Sequence, residues 1–159
     1  MTRIDSRPFP ATVHRYSFAM PRTSLTRRVQ FAAAHRYRRP EWSDAENEAV
    51  FGLCARPSFH GHTYTCSVTV TGPVDPRTGF CVDLALLDQV LAAEVRERFD
   101  HRNINLDVPE FADGRLVPTG EELARFICER VQAALGDRTR VTRVVLAEDS
   151  SLEVTYDAD

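Results

Sequence analysis

The stretch from Cys54 to Val70, CARPSFHGHTYTCSVTV, constrains this chain most. From His62 onward the even positions are His62, Tyr64, Cys66, Val68 and Val70, and the odd positions are Thr63, Thr65, Ser67, Thr69 and Thr71. A period of two marks a strand with one face buried and the other wet. His60 and His62 share the parity of the buried side. Their imidazoles therefore point the same way, roughly 6.5–7 Å apart along the backbone. That spacing suits two ligands of one metal ion. A lone histidine on an apolar face is ordinarily a core residue with a satisfied hydrogen bond. A pair flanking Gly61, which lets another group approach closely, asks for a further explanation.

The rest of the chain supplies partners for that strand. At 159 residues the expectation is one domain. Residues 1–24 lack sustained periodicity and contain three prolines, so they read as an arm, with His14 at its surface and Met20 near the domain start. Residues 25–159 form the domain. In LTRRVQFAAAHRY, Val29, Phe31, Ala33 and His35 share one face of a first strand. Ser43 with Glu46 is a capping box for a short helix. GPVDPRTGF is a turn cluster leading to a strand end around Phe80–Val82. Asp83 caps a helix whose Leu84, Leu87, Leu91 and Val95 form one stripe. A second helix follows the box Thr119-Gly120-Glu121-Glu122. It buries Leu123, Phe126, Ile127, Val131 and Leu135, and stops at Gly136. Strands over Arg140 to Glu148 and Ser151 to Tyr156 close the chain. Strand, strand, helix, helix, strand, strand predicts an α+β fold: a four-stranded antiparallel sheet with two helices on one face.

Charge and composition narrow the class. A net charge of −3 argues against a general nucleic-acid binder, and no apolar run reaches the length of a membrane span. The opening MTRIDSRPFP has no apolar segment of the secretory kind, so a cytoplasmic location is expected. The four cysteines form no CxxC pair and are expected to be reduced. Cys66 and Cys128 sit in apolar patterns as packing residues. Cys54 lies in a Gly- and Pro-containing loop, GLCARPS, and is the one placed for chemistry.

If the first two strands pair, His35, His60 and His62 converge. Three protein ligands with an open position is the pattern of catalytic zinc. Cys54 is then either a fourth ligand or a thiol that moves protons. Asp100-His101 follows a helix C-terminus, where the dipole favours an imidazolium and the carboxylate can set the tautomer. Such a dipeptide by itself is ordinarily a surface pair. Glu148 shares the parity of Val144 and Leu146 at a strand end. A carboxylate there needs a partner or a task, and its two oxygens suit a guanidine-like edge.

FAAAH at 31–35, Cys54 with HGH at 60–62, FDHRNIN at 99–105, PTGEELA at 118–124 and Glu148 occur in this order. Together they resemble the 6-pyruvoyl-tetrahydropterin synthase and 6-carboxy-tetrahydropterin synthase family, over roughly residues 25–156. The resemblance implies the tunnelling fold (T-fold), in which trimers close their sheets into a barrel and two trimers stack with sites at subunit contacts. It implies zinc held by His35, His60 and His62, and Cys54 as the catalytic cysteine. Asp100 and His101 would be the other half of a proton relay lent across a subunit contact. Glu148 would anchor the pterin's amino-pyrimidinone edge, with Thr119 and Glu121 nearby.

The substrate so implied is 7,8-dihydroneopterin triphosphate. The chain departs from the family pattern at Phe59, where glycine is common, at Thr63, where asparagine is common, and at Asp149, where threonine is frequent. The six-residue step from Cys54 to His60 resembles the pyruvoyl branch. Asp83 and the compact turn resemble the carboxy branch, which feeds deazapurine (queuosine-type) synthesis. The expected activity is the carboxy lyase. The pyruvoyl synthase and a paralogue acting on another substrate are the alternatives. A non-catalytic, zinc-stabilised binding protein is disfavoured by intact Cys54, Asp100 and His101.

Overall fold

The structure, a computed structural model, describes residues 23–158. His14, Met20 and most of the expected arm lie outside the described residues. The first strand, β1 (Thr23–His35), begins two residues inside that arm. It pairs antiparallel with β2 (His60–Gly72) along its whole length, from Thr23 opposite Gly72 to His35 opposite His60. Between them lie α1 (Asp44–Phe51) and a 3-10 turn, Gly52–Ala55. The capping box holds as expected: the Glu46 amide donates to Ser43 Oγ at 3.2 Å, and the Ser43 amide donates to Glu46 Oε2 at 2.8 Å.

After β2, the Phe80–Val82 segment is not a strand. Residues 75–80 close on themselves instead: the Asp75 amide donates to the Phe80 carbonyl, and the Phe80 amide to Thr78 Oγ1. Asp83 Oδ1 then caps α2 (Leu84–Leu91), which continues through a π-helical turn, Ala92–Arg96, into α3 (Glu97–Phe99). Leu87, Leu91 and Val95 are buried as expected, joined by Val90 and Phe99, while Leu84 is exposed at the cap end.

The expected four-stranded antiparallel sheet gains a fifth member. The two-residue β3 (Arg102–Asn103) runs parallel to β1 at its free edge, so the sheet is mixed, in the order β3-β1-β2-β4-β5. The chain reaches that edge because the His101 amide donates to the Ala32 carbonyl at 2.7 Å and Asp100 Oδ1 accepts from the Ala32 amide at 2.8 Å. A short α4 (Ile104–Asp107) and a 3-10 turn at Pro109–Phe111 lead to α5 (Gly120–Leu135). The α5 stripe is buried at Leu123, Phe126, Ile127, Val131 and Leu135. Thr119 Oγ1 accepts from the Glu122 amide, but the Glu122 side chain pairs with Arg125, so only half of the expected capping box forms.

The last strands are β4 (Arg140–Ala147) and β5 (Glu153–Asp157). A one-residue bulge in β4 has a plain cause. Val70 pairs with Val141 while Thr69 pairs with Arg143, leaving Thr142 as the extra residue. Val141 and Val144 are three apart and would face opposite sides of a regular strand; the bulge turns both inward. The core lies between this face and the helices. It holds Phe31, Tyr64, Cys66, Val68, Val70 and Leu146 against Leu87, Phe99, Leu123 and Ile127. The opposite face carries the Thr and Ser row of β2, cross-bonded to β1 through Thr26 to Thr69, Arg28 to Ser67 and Gln30 to Thr65. No helix among the described residues is long and apolar enough to cross a membrane.

Candidate active site

The pairing of β1 with β2 puts His35 opposite His60, and His62 opposite Ala33, on the inward face. One ligand atom from each of the three histidines lies within 4.8 Å of the other two, so a single ion can sit among them. The ring centroids are 4.5 Å apart for His35 and His60, 5.2 Å for His35 and His62, and 5.1 Å for His60 and His62. Gly61 allows this register: a Cβ there would lie 3.1 Å from the Ala33 carbonyl oxygen.

The electrostatics keep His35 and His60 able to ligate. His35 is fully buried, and its pKa is lowered to about 4 by loss of solvent, with the neighbouring histidines lowering it further. His60 is lowered in the same direction by burial and by His62. His35 Nδ1 lies 2.8 Å from the Pro118 carbonyl oxygen, which can only accept. Nδ1 therefore carries the proton and Nε2 keeps its lone pair, the orientation common among metal-bound histidines. His62 Nε2 is buried without a hydrogen-bond partner, and its nearest acid, Glu148 Oε2, is 3.6 Å away. A cation would satisfy that orphaned atom. The donor set and the unmet nitrogen both fit zinc.

The buried, neutral His35 makes stability depend on pH. Its folded pKa lies below its unfolded value. Between pH 6.5 and about 4, therefore, only the unfolded chain takes the proton, and stability falls as the pH falls. The loss from this group reaches about 3 kcal/mol near pH 4. Urea unfolding of metal-free protein at pH 7 and pH 4.5 should show the decline, and His35→Gln should flatten it. Equal slopes in the two proteins would exclude His35 as its source.

Glu148 follows β4 and is 6% exposed. Burial raises its pKa; His62 and the Tyr37 hydrogen bond oppose the rise. Cys54 sits in the 3-10 turn, half-buried, with its carbonyl accepting from the Tyr37 amide at 2.8 Å. Burial, then the nearby Glu148 carboxylate, pushes its thiol pKa up. All four cysteines are free, and Cys66 and Cys128 are buried in the core as expected.

The remaining candidates are placed differently. Asp100 and His101 pair with each other at 3.8 Å, with His101 at φ +56° and its side chain 86% exposed. Among the described residues neither hydrogen-bonds nor ion-pairs with Cys54, Glu148 or the three histidines. His101 instead shares a shallow depression with His62, Gly61 and Thr63 beside the β3 edge. Thr119 Oγ1 is engaged as the α5 cap, and Glu121 is exposed, near enough to Glu148 to raise its pKa.

Of the departures from the family pattern, Phe59 and Asp149 have distinct local settings, and nothing in the structure explains Thr63. Phe59 takes φ +57°, a conformation that favours glycine, while the Arg36 guanidinium stacks 4.9 Å from its ring centroid. Asp149 closes the turn before β5: its Oδ1 accepts from the Ser151 amide, the Ser151 hydroxyl and the Leu152 amide, and its charge lies near enough to Glu148 to raise that carboxyl's pKa.

Three contributors escaped the sequence reading. The first is the Pro118 carbonyl. The second is Tyr64, whose hydroxyl lies 3.2 and 3.3 Å from the His35 ring nitrogens. The third is Tyr37, whose hydroxyl reaches Glu148 Oε1 at 3.4 Å. The alternation Phe31, Ala33, His35, Tyr37 carried a signal for the last.

Comparison with known proteins agrees with this geometry. Residues 24–159 match the family described as 6-pyruvoyl tetrahydropterin synthase. The chain is 37% identical over 136 residues to the 6-pyruvoyl tetrahydrobiopterin synthase of Drosophila melanogaster, covering 86% of this chain and 80% of that one. It is 33% identical over 132 residues to the 6-carboxy-5,6,7,8-tetrahydropterin synthase of Bacillus subtilis, covering 82% and 76%. Its fold superposes on the 6-pyruvoyl tetrahydropterin synthase structure from Caenorhabditis elegans with a TM-score of 0.81 and 33% identity, covering 89% of this chain and 99% of that one. The sheet with helices on one face is thus a T-fold. With its histidine cluster at the β1–β2 strand ends, this chain belongs to the 6-pyruvoyl tetrahydropterin synthase family.

Proposed function

We propose that this chain is a zinc-dependent lyase acting on 7,8-dihydroneopterin triphosphate, and that it forms 6-pyruvoyl-tetrahydropterin with loss of triphosphate. The observation that carries this reading is the placement of one buried carboxylate, Glu148, beside a three-histidine cluster with a cysteine on the rim. The carboxylate accepts the paired N–H groups of an amino-pyrimidinone edge, which fixes the ring. A zinc ion held by His35, His60 and His62 would supply Lewis-acid polarisation of the side-chain oxygens. Cys54, as the thiolate, accepts a proton on one face of the side chain and, as the thiol so formed, returns it. Asp100 and His101 do so from the other face, reaching the site from a neighbouring copy in a homo-oligomer, a trimer or dimer of trimers. The 86% exposure of the His101 side chain, and the lack of contact between either residue and Cys54 among the described residues, support that arrangement. Thr119 and Glu121 frame the ring end of the pocket.

The pyruvoyl product is favoured by the six-residue step from Cys54 to His60 and by the names of the Drosophila and Caenorhabditis relatives. The carboxy product expected from the compact turn and Asp83 remains the second reading, supported by the Bacillus relative. In that branch, water enters, triphosphate is lost, and the outer side-chain carbons leave as acetaldehyde while the inner carbon stays on the ring as the carboxylate. Mass spectrometry of products from zinc-loaded protein and 7,8-dihydroneopterin triphosphate separates the two. A 6-pyruvoyl product is expected. A 6-carboxy product with acetaldehyde would change the branch and keep the site, and no turnover would overturn the substrate.

A further inference from the structure

We infer that Tyr37 is a positioning residue that aims the Glu148 carboxylate and ties it to the Cys54 turn, an inference resting on the ring-anchoring role proposed for Glu148. Tyr37 lies two residues beyond the end of β1 and joins three parts of the site. Its amide donates to the Cys54 carbonyl at 2.8 Å. Its ring stands edge-on to His35, with centroids 5.1 Å apart, and against Phe51 at 5.9 Å. Its hydroxyl donates to Glu148 Oε1 at 3.4 Å.

Among the described residues, no other side chain hydrogen-bonds to the Glu148 carboxylate. The wall beyond it offers no replacement. A Cβ placed on Gly120 would come 3.7 Å from Glu148 Oε1 and 2.9 Å from Val154 Cγ2, so that side is backbone and a valine methyl. On the remaining side, Oε2 lies 3.6 Å from His62 Nε2. Without the Tyr37 hydroxyl, the carboxylate is free to turn toward His62 and away from a ring edge. The packed ring prevents the hydroxyl from following it. Tyr37 thereby acts through Glu148, and its influence exists only while Glu148 is present.

A double-mutant cycle tests this, using pterin-6-carboxylate as a fluorescent probe and metal content as a control. In Tyr37→Phe the ring stays and only the hydroxyl leaves. Probe affinity should fall about tenfold, the scale of a hydrogen bond to a charged group, while bound zinc is unchanged. In a Glu148→Ala background the same change should alter affinity by less than about twofold, because nothing remains to be aimed. Should Glu148→Ala fail to fold, Glu148→Gln serves as the other corner, with the effect of Tyr37→Phe again smaller than in the wild type. An equal loss in both backgrounds would assign Tyr37 to packing and overturn the inference. So would unaltered affinity in Tyr37→Phe when Glu148→Ala loses the probe, which would leave the Glu148 role intact. Failure of the wild-type protein to bind the probe would overturn that role and the inference with it.

Discussion

Replacing His62 by alanine should remove the bound metal and lower turnover by at least about 10³-fold, while the chain stays folded. His62 contributes little to the core: its side chain is 20% exposed, and its Nε2 makes no hydrogen bond. Its backbone pairing with Ala33 does not depend on the side chain. His35 is a poorer choice for the test, because it is fully buried and bonded to Pro118, so its removal mixes folding with ligation. Two imidazoles alone leave the ion short of one protein ligand, and Glu148 loses the imidazole that lies 3.6 Å from its Oε2. Metal content by plasma mass spectrometry, with turnover on 7,8-dihydroneopterin triphosphate, reads both effects. Full metal occupancy with normal turnover would remove His62 from the proposed ligand set.

Cys54→Ala should lower turnover by about 10²–10⁴-fold, with metal content and pterin affinity preserved, since a positioned proton-transfer group contributes on that scale. Cys54 is half-buried in a turn held by its own backbone and the Tyr37 amide, so losing the thiol leaves the scaffold in place. Loss of metal in this variant would make Cys54 a fourth ligand instead. His101→Ala should show a similar fall in turnover with the fold intact, because its side chain is 86% exposed and its one ion pair among the described residues is with Asp100 at 3.8 Å.

The two inactive variants also test the shared site. If each site takes Cys54 from one copy and His101 from its neighbour, random mixing restores about a quarter of the sites. Co-refolded variants should therefore recover activity that neither has alone. Mixed oligomers that stay inactive would place both groups in one chain's site and refute the lending arrangement.

Much of this protein is written locally. The Thr and Ser alternation specified β2 and its buried face, and with it the shared direction of His60 and His62. The Ser43 and Asp83 caps, the Gly136 stop and the α5 stripe are likewise properties of neighbouring residues. Backbone periodicity and helix-end hydrogen bonding act over a few positions, so these features were legible without coordinates. The ordered motifs extended that reach to the histidine triad, Cys54 and Glu148.

Contacts between distant residues were not legible. The Thr142 bulge exists because Val141 and Val144 must both reach a core built by β2. The fifth strand exists because Asp100, 68 positions from Ala32, captures that residue's amide. The Pro118 carbonyl orients His35 across 83 positions, and Tyr37 meets Glu148 across 111. A residue's chemical type reveals which hydrogen bonds and charges it can offer. Which of them are met, and how far burial shifts a proton, depends on the low-dielectric surroundings assembled when the strands and helices pack. For that reason residue chemistry and local periodicity announced which side chains were on offer and the strand that carries two of the three clustered histidines, whereas long-range packing set how they are aimed.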